Sequence, residues 1–178
     1  MVPESLKVAA AMFLPNFGAM LGQRLTKNTY RRDVWYKALQ KPFFCPPTWV
    51  FAPAWIALYS GMGCASYLIW RDGGGFQGKA MVPLAWYGLQ LGMNWGWSHI
   101  FFGAKMIGLA EIELIALTGV ATVTALAFKP INTAAYRLMV PYLVWLAFSC
   151  CSIFEIWRLN RKTHKLAIAA FKNDRKSG

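Results

Sequence analysis

Acidic residues are scarce in this chain. Seven aspartates and glutamates face 19 lysines and arginines, and charged side chains make up only 15% of the 178 residues. A soluble domain carries about 25%. A chain that is instead 57% hydrophobic and 16% aromatic belongs in a membrane. Cysteine is sparse too: Cys45, Cys64, Cys150 and Cys151 have no paired C-x-x-C spacing. Adjacent thiols cannot readily share one tetrahedral ion, which argues against a metal site. Neither G-x-S-x-G nor H-E-x-x-H occurs, and no nucleophile, base and orienter stand together, so no residues are assigned to catalysis. The net charge of +12 would suit a nucleic-acid partner only if the bases formed one patch, and they do not.

Long apolar runs fill most of what remains. Five stretches, 6–25, 47–70, 80–102, 106–128 and 133–157, are each long enough to cross hydrocarbon about 30 Å thick, which takes roughly 20 helical residues. Backbone polar groups find no water there, so helices are predicted. The fold class is an all-α integral membrane protein: a five-transmembrane-helix bundle over residues 1–160 with an internal ligand cavity, then a basic tail over 161–178. The first stretch is too long for a signal peptide and has no basic n-region or small-residue cleavage site, so it is read as retained. Fourteen lysines and arginines flank one side, in 24–41, at Lys105 and from Arg158 onward, against five on the other. This bias puts the C-terminus in the cytosol. The tail either touches anionic headgroups or is simply solvated.

Local chemistry singles out further residues. In "KPFFCPPTWVFAPAW" (41–55), Pro46-Pro47 suits a helix start, where a missing N–H leaves nothing unpaired. Pro53 should loosen the helix further in, and Trp49 suits an interface. Trp55, deeper, is either lipid-facing filler or a pocket wall. Gly88, Gly92 and Gly96 recur every four residues, giving a smooth face for another helix, in the same bundle or in a second copy. Glu111 and Glu113 point to different faces of the fourth span; snorkelling, or pairing near Lys105, is the plain expectation. Glu155 and Arg158 are spaced for an i,i+3 pair.

"LPNFGAMLGQ", "KPFFCPPTWVFAPAW", "GLQLGMNWGWSHIFFGAK" and "YRLMVPYLVWLAFSCCSIFEIWRLN" together resemble the translocator protein family, also called the peripheral benzodiazepine receptor or tryptophan-rich sensory protein family. The likeness runs in order from Leu14 to Asn160. It implies a cavity open toward the cytosol under a lid formed by the first loop, mainly in the outer mitochondrial membrane in animals. Implied ligands are porphyrins, cholesterol and benzodiazepine-type compounds, with links to sterol and tetrapyrrole traffic. Wall positions carried over are Ala52, Trp55, Tyr59, Asn94, Trp97 and Trp145. Trp55 and Trp145 match tryptophans tied to porphyrin chemistry in bacterial relatives; ordinary core packing is the alternative. A homodimer through the Gly88–Gly92–Gly96 helix is also implied. No cofactor is required; protoporphyrin IX or haem enters as ligand.

The sequence departs from the family in three places. In the sterol signature Phe154 replaces a tyrosine and Ser152 a leucine, while Arg158 is retained, so the hydroxyl proposed to bond sterol is missing. Looser matches at 25–32 and 34–41 lie in a loop, where they mean little. Ser98-His99 replaces a proline pair, and Leu109 stands where vertebrate members have a pocket tryptophan. His99, near a helix end, suits interfacial hydrogen bonding better than iron ligation. The first reading is therefore a ligand-binding receptor or translocator for lipid or tetrapyrrole. The alternatives are tryptophan-dependent porphyrin degradation and a scaffold that recruits partners through its tail.

Overall fold

The computed structural model describes residues 3–26 and 35–174, the side chains of 19, 21–26 and 162–174 excepted. Among them the chain is built of helices and the loops that join them, with no strand. Five helices of 18 residues or more carry the architecture: α1 (Glu4–Thr26), α2 (Thr48–Asp72), α3 (Met81–Ser98), α4 (Ile107–Phe128) and α5 (Thr133–Asp174). Around the bundle α1 lies against α2, α2 against α5, α5 against α4, α4 against α3, and α3 back against α1.

Helix starts and stops follow local chemistry. Pro47 is extended (φ −58°, ψ 147°) and sits at the N-cap of α2. The α2–α3 turn needs glycine: Gly74 and Gly75 have φ of +83° and +75°, which L side chains rarely adopt. Asn132 caps α5, its side-chain oxygen accepting from the Ala135 N–H at 2.9 Å. Its amide also donates to Asp72 at 2.6 Å, tying α5 to the end of α2.

By length and mean hydropathy alone, two helices among the described residues, α4 and the first part of α5 (Thr133–Arg161), are apolar enough to cross a membrane, rather than the five the apolar stretches suggested. The aromatic content of α2 and α3 accounts for part of the difference. Tryptophan and tyrosine carry a polar atom on a largely apolar body and so lower the mean hydropathy of helices rich in them. Two boundaries also differ. The third stretch, expected helical to Phe102, leaves α-geometry after Ser98 and closes with a π-turn over His99–Gly103. At the other end α5 runs on without a break at 160, so the tail's backbone through Asp174 continues the last helix. Residues 27–34, with much of the first basic loop and its loose sterol match, and residues 175–178 lie outside the described residues.

Close approach of two helix backbones depends on a glycine in α2. A Cβ at Gly63 would overlap the Ala11 carbonyl and the Met12 Cα, so α1 and α2 touch backbone to backbone there. At this end of the bundle Met62, Ala65, Ile69, Ala80, Ala125, Phe128, Ala135 and Met139 are completely buried.

Candidate functional site

The opposite end of the bundle is hollow. A cavity of about 350 Å³ lies between α2, α3, α4 and α5, roofed by residues of the first loop. Helical spacing aims Phe51, Trp55 and Tyr59 from successive turns of α2 into it. Trp55 stacks on Tyr59 at 5.1 Å between ring centres and meets Trp145 edge-on at 6.2 Å. Phe51 and Phe148 each stand 5.9 Å from Trp145. Large flat rings on three helices cannot interdigitate as leucine and alanine do, so a space stays open between them.

One polar group anchors this wall. The Tyr59 hydroxyl donates to the Asn94 side-chain oxygen at 2.8 Å, and the Asn94 amide donates to the Tyr142 hydroxyl. All three residues are buried. Asn94 is thereby locked between α2 and α5, presenting a fixed dipole in an apolar setting. The Trp145 indole N–H is buried without an acceptor among the described residues.

The six wall residues predicted from the sequence, Ala52, Trp55, Tyr59, Asn94, Trp97 and Trp145, all line this one cavity. Several other lining residues were not anticipated. Phe148 lies one turn beyond Trp145, a spacing that could have revealed it. Phe101 could not be found that way, because the π-turn brings it flat against Trp97 at 4.8 Å with only 1% exposed. Such turns gather at functional sites because the extra residue re-aims the side chains around it. Tyr36 and Cys45 come from the loop. Burial, and then the neighbouring Cys45 thiol, push the Tyr36 phenol well above its usual range.

The roof is clasped from α5. Asn160 accepts from the Gln40 N–H at 3.1 Å and donates to the Gln40 carbonyl at 2.9 Å. Trp35 packs edge-on to Phe101 at 5.5 Å, and the Lys105 ammonium lies 5.9 Å from the Trp35 ring centre.

Other expected residues fall outside the cavity. Phe154 is 47% exposed on the outer face beside Trp157, and Arg158 pairs with Glu155 at 2.9 Å as their spacing implies. Phe154 and Arg158 of the sterol motif thus lie apart from the six wall residues, whereas Ser152 of the same motif is buried and lines the cavity. Leu109 is exposed and does not line the cavity. His99 is exposed and its Nδ1 donates to the Trp95 carbonyl at 3.2 Å, the hydrogen-bonding role rather than ligation. The expected pairing of Glu111 or Glu113 with Lys105 is not formed, since Lys105 turns to the roof instead. Glu111 Oε2 and both Glu113 oxygens are buried without a hydrogen-bond partner. A Cβ at Gly88, Gly92 or Gly96 would meet nothing within 4 Å, so among the described residues no helix covers that face.

Comparison with known proteins agrees with this arrangement. The model of the TspO/MBR family matches residues 11–158. The chain belongs to the TspO/MBR family. It is 42% identical over 160 residues to the translocator protein of Homo sapiens, covering 90% of this chain and 94% of that one. It is 40% identical over 146 residues to translocator protein 2 of Canis lupus familiaris, covering 82% and 84%. It is 36% identical over 128 residues to the tryptophan-rich protein TspO of Archaeoglobus fulgidus, covering 72% and 81%. The resemblance carried by the tryptophan-rich motifs is therefore correct, and the chain is a TspO-type membrane protein. The family match ends at 158, just before Asn160 and the stretch of α5 beyond it.

Proposed function

We propose that the chain is a membrane receptor or translocator that takes flat hydrophobic molecules, with porphyrins as the leading class, into its aromatic cavity. The observation that carries this reading is the convergence of Trp55, Tyr59, Trp97 and Trp145 around Asn94 in a single space of about 350 Å³. That volume lies at the lower end of the roughly 300–1,000 Å³ usual for ligand pockets, and apolar walls with one fixed polar group are their usual composition. All five long helices cross the bilayer in this reading, with the roofed end and the C-terminus on the cytosolic side, in the outer mitochondrial membrane if the source is eukaryotic. Cholesterol and benzodiazepine-type compounds are further candidates for the cavity. A sterol at the outer-face signature would have Arg158 but no hydroxyl at Phe154. The uncovered glycine face of α3 is where a second copy would pack to make a homodimer.

Titrating the reconstituted protein with protoporphyrin IX, read by tryptophan quenching, tests the reading. Trp55→Leu with Trp145→Leu should weaken binding at least about tenfold, since each aromatic contact contributes about 0.5–1.5 kcal/mol beyond its area. Unchanged affinity in a folded double variant would overturn it. A second reading, porphyrin degradation under light, draws support from the edge contact between Trp55 and Trp145 at 6.2 Å. Bleaching of the porphyrin spectrum that disappears in Trp55→Phe and Trp145→Phe would favour it.

A further inference from the structure

A second hollow lies on the outside of the bundle. It is a groove of about 480 Å³ between α2 and α5, lined by Pro46, Ala54, Ala57, Leu58, Pro141 and Val144 together with Trp145 and Phe148. None of these side chains carries a charge. Ala57 and Val144 are exposed on its outer surface, where the bilayer's hydrocarbon would lie. Trp145 and Phe148 also line the inner cavity, so these two side chains stand between the groove and the chamber.

We infer that Trp145 and Phe148 form a lateral gate through which the cavity's apolar guest passes directly to and from the bilayer, by way of the α2–α5 groove. This rests on the ligand class proposed above. Three features support it. The Trp145 ring contacts Phe51 and Trp55 edge-on and Phe148 at a tilt, and its N–H has no acceptor, so its swing breaks no hydrogen bond. Both flanking helices carry a proline near the groove, Pro53 in α2 and Pro141 in α5, each removing one backbone hydrogen bond and softening its helix locally. The roof over the cavity is instead fastened by two Asn160 hydrogen bonds to Gln40. For a guest already dissolved in hydrocarbon, the route through the groove also avoids transfer through water.

The test is kinetic, because a gate belongs to neither the free nor the bound state. In lipid nanodiscs loaded with protoporphyrin IX, Val144→Trp and Ala57→Trp fill the groove from positions that do not themselves line the cavity. Both should slow association and dissociation by the same factor, about tenfold, with Kd unchanged. Ala57→Leu should give a smaller effect in the same direction and serves if a tryptophan variant fails to fold. Asn160→Ala should leave both rates within about twofold. Unaltered rates in folded groove variants that keep the same Kd would overturn the gate while leaving the binding reading intact. Faster exchange in Asn160→Ala alone would overturn it in favour of the roof. Absence of any protoporphyrin binding by the unaltered protein would remove both the binding reading and the gate.

Discussion

The two ends of this bundle are built from the same five helices and solve opposite problems. At the end holding Gly63, Ala65, Ala80, Ala125 and Ala135, small residues let backbones close until no space is left. At the other, Trp55, Trp97, Trp145 and Phe101 prop the helices apart around a chamber. Residue size along each helix therefore decides where the protein is solid and where it is hollow. A hollow end can be tolerated because the solid end holds the helices together. Bulk added at the two ends should have opposite consequences.

The largest effect is expected at Gly63. Leucine there must displace the α1 backbone at Ala11 and Met12 rather than a flexible side chain. Gly63→Leu should cost about 3 kcal/mol, the upper part of the overpacking range, and lower the melting temperature in detergent. Ala52→Leu, facing the chamber, should leave melting within about 1 kcal/mol of the original and reduce ligand capacity instead. If the two substitutions prove equally damaging, the contrast between solid and hollow ends is wrong.

Next comes the single polar tie inside the hollow end. Asn94→Leu removes the acceptor for Tyr59 and the donor to Tyr142. Leaving these buried phenols unmatched should destabilise the bundle by about 1–3 kcal/mol, measurable by thermal unfolding with and without ligand. A smaller effect is expected from the roof. Asn160→Ala should hardly change stability, because Asn160 meets Gln40 in an exposed setting. It should speed labelling of Cys45 by a water-soluble thiol reagent several-fold, read peptide by peptide in a mass spectrometer, because Cys45 lines the chamber beneath that roof.

The smallest effect concerns pH at the solid end. Hydrogen bonds from Arg71 first, then Asn132, hold the Asp72 carboxyl below its usual range. The folded state therefore binds this proton less readily than the unfolded chain. The associated stability is fully present above the ordinary carboxylate pKa, near 4, and is lost as pH falls through the lower folded value. Thermal unfolding between pH 7 and pH 3 should show a modest decline confined to the acidic end. Asp72→Asn should flatten that portion of the profile, while a decline already present between pH 6 and pH 7 would point to another group.

Much of this was legible in the sequence because its signals are local. Apolar length marked the helical stretches, Pro46-Pro47 marked a helix start, and the tryptophan-rich motifs named the family, whereas the Asn132 cap emerged only in the fold. The wall residues Trp55, Asn94 and Trp145 came through the same motifs. What stayed hidden depends on geometry that spacing does not encode. The π-turn after Ser98 shifts Phe101 by a fraction of a turn, which a uniform helical period cannot anticipate. Tyr36 and Gln40 reach the site through a loop whose path is set by partners on α5, 120 residues away in the case of Asn160. Lys105 sits near two carboxylates in sequence, yet its ammonium lies 5.9 Å from the Trp35 ring centre rather than in an ion pair with either.

The unbroken course of α5 has a mechanical corollary. One rod bears Trp145 in the chamber wall, Asn160 at the roof clasp, and then continues to Asp174. At a helical rise of 1.5 Å per residue, the helix continues for about 21 Å past Asn160, an arm long enough to act as a lever. A twist or tilt imposed on that arm would be felt at the clasp and the wall together, so whatever grips the stalk also has a handle on the chamber.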